Sequence, residues 1–417
     1  MKLLMVTSAY PYGHGEAFVK AEIEHVSTFF DEIEVVPCSF PPASAPRPMA
    51  QPVDLDYAHK RWGLFRKFHL VSSLAVALWK YNWVHDVRHI AGRDHKFINL
   101  KELVRSLYRA RLFELFLKGR VAKHKKDFDM VYFYWIVPEI MGAIGYRKES
   151  GSRMRIISRA HGGDLYEDRR AGGYVGLQDG IAAGVDGVFC ISAHGKKFLD
   201  HKYPAMQDKF HTARLGVRDP GYLNRQPAGG ALSIVSCSFV VAGKRLQLIA
   251  DAIALLLERD AGLQIRWTHV GDGELYDQLR AYVERTLHGR ATVVFKGYLT
   301  QDQLAELYRN EPFDVVVNVS DSEGIPVSLM EASAVSIPMV ATDVGGTSEI
   351  VNACNGVLID ADADIATIAA AIVRFRDRAA ALSCRNSARS QWEENFNARA
   401  NYNAFGRRLL QLLEPRP

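Results

Sequence analysis

The sequence predicts two doubly wound α/β domains, on three observations. Short β-branched apolar runs alternate along the whole chain with longer segments of helical periodicity. Those runs are apolar at nearly every position, as strands of a parallel sheet covered on both faces are. The 417 residues are also too many for one ordinary core, and their charge is divided: residues 1–225 hold 34 Lys/Arg against 24 Asp/Glu, and residues 226–417 hold 18 against 23. A composition that is 48% hydrophobic and 24% charged excludes a disordered or fibrous chain.

In the first half the predicted strands are Leu3–Thr7, Ile33–Cys38, Met130–Ile136, Arg155–Arg159 and Gly187–Ile191. In the second half they are Leu232–Ser236, Gln264–Val270, Thr292–Lys296, Asp314–Val319, Pro338–Thr342 and Gly356–Ile359. Helical spacing marks Arg245–Arg259, where Leu246, Ile249, Ala250, Ile253, Leu256 and Leu257 recur, and Leu275–Leu287. The stretch Arg218–Gly230 is rich in Gly, Pro and polar residues and reads as a break. The first domain is therefore expected over residues 1–220, a linker over 221–231 and the second domain over 232–395. An amphipathic pattern on Tyr402, Phe405, Leu409, Leu410 and Leu413 predicts a closing helix within 396–417 that packs back on the first domain.

Residues 60–126 carry 17 Lys/Arg against Asp86, Asp94, Glu102 and Glu114, with aromatic residues interleaved, among them Trp62, Phe65, Phe68, Trp79, Phe97 and Phe113. A basic, aromatic helical insertion suits an anionic membrane surface or a phosphorylated lipid. The plainer alternative is a solvated helical hairpin whose aromatics are core. Nucleic acid is disfavoured, because no nucleic-acid-binding signature accompanies the charge. No window approaches the ~20 apolar residues that span a bilayer, so any membrane contact is expected to be peripheral. Five scattered cysteines without metal-ligand spacing read as reduced thiols. The expected location is cytoplasmic, with association at the inner face of the membrane left open.

The chemistry concentrates in Asp314–Val351. A buried strand runs into the polar loop Ser320–Gly324, which holds Ser322 and Glu323, and then into a helix with Pro326 suited to its first position. The amides of Gly324 and Ile325 lie at that helix mouth, where unsatisfied donors and the helix dipole favour a phosphate. Glu323 and, eight residues on, Glu331 are carboxylates beside an anion site. They make sense if they accept hydrogen bonds from hydroxyls, one from a sugar and one from a ribose. After the first strand, Gly13 and Gly15 permit a tight loop beside Glu16. After the strand Arg155–Arg159 comes His161-Gly162-Gly163-Asp164. The D-x-D strings Asp54–Asp56 and Asp127–Asp129 are read as structural, and no metal site is expected.

The runs Glu323-Gly324-Ile325-Pro326…Glu331-Ala332, Pro338–Thr342 and Gly345–Ile350 resemble the retaining nucleotide-sugar glycosyltransferases of family 4, of the polysaccharide-biosynthesis type. That resemblance implies the GT-B fold: two Rossmann-like parallel-sheet domains facing each other across a cleft. It implies a transferase that moves a sugar from a UDP or GDP sugar to an acceptor hydroxyl, with retention and without metal or other cofactor. By the same likeness Glu323 contacts the donor sugar, Glu331 the ribose, and Lys244 the diphosphate. Many members place an Arg where this chain has Ser238, so Arg245 or a residue of the other domain is expected to supply the second cation. His269–Gly273, with Gly271, and Phe295–Tyr298, with Tyr298, resemble the nucleotide's borders, and the loop of Gly13 and Gly15 the cleft edge near donor phosphate. His161 is expected at the reacting centre, with Glu16 and Asp164 on the acceptor side, Asp164 either ordering its loop or touching the acceptor hydroxyl. The implied acceptor is a saccharide or lipid-linked saccharide. A nucleotide-sugar epimerase on the same fold and a catalytically silent nucleotide-sugar-binding protein are the alternatives.

Overall fold

A computed structural model describes residues 1–13, 15–40, 45–62, 66–81, 83–124, 127–170 and 172–414, with the backbone alone described at residues 62 and 66–72. The chain divides into two compact units, Met1–Arg214 with Tyr402–Pro417, and Leu215–Asn401. Phe65 lies outside the described residues, as do the side chains of Trp62 and Phe68.

The first unit holds strands β1 (Lys2–Thr7), β2 (Glu32–Pro37), β3 (Met130–Phe133), β4 (Arg155–Ala160), β5 (Gly187–Cys190) and β6 (Phe210–Thr212). They form one sheet in the order β2-β1-β3-β4-β5-β6, and every pairing is parallel. Its helices are α1 (Val19–Val26), α2 (Asp56–Trp62), α3 (Arg66–Lys80), α4 (Val84–Ala91), α5 (Lys96–His124), α6 (Glu139–Ser150), α7 (Gly162–Leu165), α8 (Gln178–Gly184) and α9 (Ala193–Lys202). Leu3, Leu4, Met5 and Val6 of β1 are all buried, which is why the strand is apolar without alternation.

The second unit holds β7 (Leu232–Cys237), β8 (Ile265–Val270), β9 (Thr292–Phe295), β10 (Val315–Asn318), β11 (Met339–Thr342) and β12 (Gly356–Ile359), in the order β12-β11-β10-β7-β8-β9 and again all parallel. Its helices are α10 (Gln247–Arg259), α11 (Tyr276–Leu287), α12 (Gln301–Asn310), α13 (Val327–Ala334), α14 (Ile365–Val373) and α15 (Arg378–Asn395). The last helix, α16 (Ala398–Leu413), enters the first unit from Tyr402 onward, where Tyr402, Phe405 and Leu409 are buried.

Both orders place a topological switch in mid-sheet, between β1 and β3 in one unit and between β7 and β10 in the other. At such a point the chain leaves its two strands in opposite directions. The loops at their carboxyl ends part to leave a crevice, and ligands of open α/β sheets bind there.

Two boundaries differ from the sequence expectation. The units divide at Arg214/Leu215, and the stretch read as a linker is fastened to the second unit. The Asn224 amide donates to the carbonyls of Tyr308 (2.6 Å) and Glu311 (2.8 Å), and the Asn224 backbone carbonyl accepts from Arg385. Strand β6 was also not foreseen. It has three residues at a sheet edge, only Phe210 is buried, and no apolar run announces it.

Helix α6 packs against α5 through Gly142, where an added Cβ would lie 2.1 Å from the Ala110 carbonyl oxygen and 2.9 Å from the Glu114 nitrogen. Ala is favoured over Gly in a helix by about 1 kcal/mol, but here the neighbour is backbone and cannot turn aside. Gly142→Ala is therefore expected to destabilise the protein by about 2–3 kcal/mol, read as a lower midpoint in urea unfolding.

Candidate active site

In the second unit the crevice lies between the loop after β7 and the loop after β10. The Lys244 ammonium meets Glu323 Oε1 at 2.5 Å. The same oxygen accepts from Ser320 Oγ at 2.7 Å and from Asn318 Nδ2 at 3.2 Å. The expected diphosphate cation and the expected sugar-binding carboxylate are thus brought together as one ion pair.

Below them, Pro326 caps α13 in an extended conformation (φ −76°, ψ 106°), one position earlier than the sequence reading placed it, and the helix begins at Val327. Among the described residues the amides of Gly324 and Ile325 have no acceptor. Unsatisfied donors at a helix start, beside a lysine, favour an anion. Ser322 is exposed on the loop, whereas the Ile325 and Pro326 side chains are buried and leave their backbone to serve the site.

Arg245 does not have the role expected of it. It is left-handed (φ 47°), and its guanidinium donates to the carbonyls of Val319 (2.7 Å), Ala361 (2.7 Å) and Ser320 (3.1 Å). Three of its five N–H donors are spent on these carbonyls, so Arg245 clips the loop after β10. The loop is held from other sides as well. The amide of Asp321 donates to the Gly243 carbonyl at 2.9 Å, and Thr342 Oγ1 donates to the Ser320 carbonyl at 2.6 Å. Gly345 (φ +58°) packs so close that a Cβ would lie 1.8 Å from the Glu323 carbonyl oxygen. This explains why position 345 is glycine.

Glu331 stands apart from the Lys244–Glu323 pair in its hydrogen bonding, its carboxyl meeting the Gln301 side chain. Burial beside Cys237 and Tyr308 pushes its carboxyl up to about 7, and a hydrogen bond with the Gln301 side chain pulls only part of the way back. Gly271 (φ +133°) and Gly273 pack on the loop after β7, where a Cβ would overlap the backbone of Ser238 and Val240. Gly271 donates to the Gly297 carbonyl at 2.8 Å, and the half-buried Tyr298 follows at once. Burial pulls the imidazole of His269 down to about 4, so it is neutral and adds no cation here.

The first unit's crevice, between the loops after β1 and β3, is organised differently. Glu16 is buried, and its carboxylate accepts from the amides of Ser8 (3.0 Å), Ala9 (2.7 Å) and Tyr10 (2.6 Å) and from Trp135 Nε1. Asp164 accepts from the amides of His161 (2.7 Å) and Ile136 (2.8 Å). Glu16, expected on the acceptor side, is an internal brace, and Asp164 orders the loop, one of the two roles expected of it. Gly13 is left-handed (φ 67°), whereas a Cβ at Gly15 would meet nothing, so only the first of these glycines is required by the backbone.

His161 sits on the face these braces define. It is 5% exposed, its ring centroid lies 4.1 Å from that of Trp135, and neither ring nitrogen has a hydrogen-bond partner among the described residues. Trp135, Asn318, Ser320 and Thr342 were not singled out from the sequence. Each follows or ends a strand at a carboxyl edge, and that position was the available signal.

Among the described residues no three His, Cys, Asp or Glu side chains come together to hold a metal. The D-x-D strings are used internally: Asp54 pairs with Arg120 at 2.9 Å, Asp127 accepts from Ser152, and Asp129 accepts from the Lys2 amide at 2.6 Å. The five cysteines are free thiols, and no described helix is long and apolar enough to cross a membrane.

Two all-parallel doubly wound units make up a GT-B type fold. Residues 232–377 match the family described as Glycosyl transferases group 1, and the second unit carries that family's domain. The chain is similar to the amylovoran biosynthesis glycosyltransferase AmsK of Erwinia amylovora, 26% identical over 52% of this chain and 54% of that protein. It is similar to the O-antigen biosynthesis glycosyltransferase WbnH of Escherichia coli, 36% identical over 42% of this chain and 46% of that protein. In both cases the likeness spans about half the relative's length. Among solved structures, Anabaena Alr3699/HepE in complex with UDP and glucose shares the fold over 99% of this chain and 100% of its own, with a TM-score of 0.66 and 15% identity.

A carboxyl whose folded pKa is raised contributes stability below its unfolded pKa and loses it as pH rises through the folded value. For Glu331 that window runs from the ordinary carboxyl range up to about 7. Glu331→Gln is therefore expected to gain melting temperature on the native protein as pH rises from 5 to 8. A difference that stays constant across that range contradicts the assignment.

Proposed function

We propose that the protein is a glycosyltransferase that moves a sugar from a nucleoside-diphosphate sugar, of UDP or GDP type, to an acceptor hydroxyl. The observation that carries this reading is the pairing of two acceptorless amides, Gly324 and Ile325, with Lys244 and Glu323 at the switch point of a glycosyl transferases group 1 domain. In the reaction the bond between the anomeric carbon and the phosphate oxygen breaks. Charge develops on the departing diphosphate, and Lys244 and the two amides stabilise it there. Glu323 accepts from hydroxyls of the sugar, and Glu331, when ionised, from the ribose. The acceptor oxygen bonds to the same face of the anomeric carbon, and its proton passes to the leaving phosphate oxygen. No covalent enzyme intermediate is invoked. His161, lying on Trp135, supplies a ring edge for the sugar or the acceptor.

The charge stabilisation falls to Lys244 and the amides, so the activity is proposed to need no metal and to persist in excess chelator. The relatives named for amylovoran and O-antigen biosynthesis support a cell-surface polysaccharide or a lipid-linked oligosaccharide as the product, and the UDP bound to HepE supports a nucleotide donor.

One observation favours a second reading. Ser238 stands where many family members have Arg, and the Arg245 cation is committed to carbonyls. A site in which Lys244 alone, among the described residues of the two loops, faces Glu323 as a cation suits a protein that binds a nucleotide sugar without turning it over. Stable binding with no transfer to any saccharide acceptor would select it.

A panel of nucleotide sugars is expected to contain one that raises the melting temperature. With that donor, Lys244→Ala and Glu323→Ala are each expected to lower kcat/KM at least about 100-fold while circular dichroism stays native. Full activity in either variant removes the site assignment.

A further inference from the structure

The basic aromatic insertion divides into two parts that its composition did not separate. Much of its charge is internal. Glu114, fully buried, collects Lys80, Arg111 at 2.9 Å and Lys118 at 3.2 Å. Glu139, also fully buried, collects Arg109 at 2.8 Å and Arg61 at 3.8 Å. Arg120 is taken by Glu34 and Asp54, and Arg93 by Glu167. Phe113, Phe116, Tyr108 and Tyr81 are core residues. For these residues the plainer reading of a structural helical hairpin holds.

The other part faces outward. Trp79 at the end of α3 is 88% exposed, and Phe97 at the start of α5 is 81% exposed. Leu78, Val84, Val87, Ile98 and Leu100 are exposed as well. Of the thirteen exposed large hydrophobics among the described residues, eight lie between Leu78 and Leu115. Their helical spacing is ordered: Val84, Val87, Arg88 and Ala91 share one face of α4, and Phe97, Lys101 and Arg105 one face of α5. Trp83 Nε1 donates to the Leu78 carbonyl at 2.6 Å and ties the end of α3 to the start of α4.

Among the described residues of α4 and the first three turns of α5, Arg88, Lys96, Lys101 and Arg105 remain outward, the last only 4.0 Å from Glu102. A soluble surface does not ordinarily concentrate bare Trp, Phe, Ile and Leu in this way. Aromatic side chains beside Lys and Arg, with no span, match the headgroup region of an anionic bilayer, where rings enter the acyl boundary and cations meet lipid phosphates.

We propose that the end of α3 at Leu78 and Trp79, with the outward side of α4 and of the first three turns of α5, docks on an anionic lipid surface, with Trp79 and Phe97 as apolar anchors and Arg88, Lys96, Lys101 and Arg105 as headgroup contacts. This deepens the reading of a lipid-linked acceptor, since it brings the first unit to the surface where such an acceptor resides. It does not depend on the transfer chemistry.

The test is sedimentation of the full chain with vesicles of phosphatidylcholine containing about one-third phosphatidylglycerol, and with vesicles of phosphatidylcholine alone. Retention is expected on the first and not the second, falling as salt rises. Removing a basic residue near the surface weakens binding about fivefold, so Lys101→Gln with Arg105→Gln is expected to cost about 25-fold. Trp79→Ala with Phe97→Ala is expected to cost at least tenfold. The nucleotide-sugar thermal shift should be unchanged in both double variants, which separates this proposal from the donor site. Absence of wild-type retention, equal retention on neutral vesicles, or undiminished retention of the variants overturns the proposal. So does a concentration-dependent dimer, without lipid retention, that the Trp79→Ala, Phe97→Ala variant abolishes, since a second copy would then be the occupant.

Discussion

The clip made by Arg245 on the loop after β10 is the constraint on which the second unit's site depends. A left-handed conformation at a non-glycine residue costs about 1–2 kcal/mol. Hydrogen bonds from a charged donor are worth about 1.5–3 kcal/mol each, and this guanidinium makes three, to Val319, Ala361 and Ser320. The bonds outweigh the strain, and the turn is held. Because it is held, Lys244 leaves the chain next to Glu323, and the peptide planes of Gly324 and Ile325 stay where their donors are unspent. A relaxed loop would let those amides find carbonyls of their own, and the anion site would be lost with no catalytic residue altered.

The two units share one topology and treat it in opposite ways. At the first unit's switch point, three consecutive amides form a cradle for an anion, and the chain fills it with its own carboxylate, Glu16. At the second unit's switch point, the amides of Gly324 and Ile325 on the loop after β10 are left open, and Lys244 from the loop after β7 stands beside them. A phosphate competing for the first cradle would have to displace a buried carboxylate held by three amides and an indole, and the displaced charge would have nowhere to go. The same fold thus presents one edge that is electrostatically complete and one that is not. The incomplete edge is the one suited to a nucleotide diphosphate.

Much of this was legible in the sequence. Strands buried on both faces are apolar without alternation, so the eleven apolar runs stood out, while β6, short and half-exposed at an edge, did not. The helix mouth at Pro326 could be read because proline, glycine and paired glutamates mark it locally. The fates of Glu16, Asp164 and Arg245 could not, since each is decided by backbone groups its side chain meets only after folding. A carboxylate at a carboxyl edge looks the same in sequence whether it awaits a hydroxyl or has already captured amides. The insertion shows the same limit: its net charge was plain, but which cations Glu114 and Glu139 would consume depended on the packing of α3, α5 and α6.

The Lys244–Glu323 pair gives each of these charged groups a counterion within the protein itself. A lone lysine at a helix mouth would face the positive end of the dipole, and a lone half-buried glutamate would lack its counterion. Paired at 2.5 Å, each satisfies the other. A nucleotide sugar offers both partners a replacement at once, phosphate oxygens for the ammonium and hydroxyl donors for the carboxylate, so the pair exchanges ligands without either charge being stranded. A nucleotide alone offers only the first half of that exchange, and a free sugar only the second. Under the proposed reaction the pairing would favour the intact donor over either fragment, and the discrimination would come from avoiding an uncompensated charge.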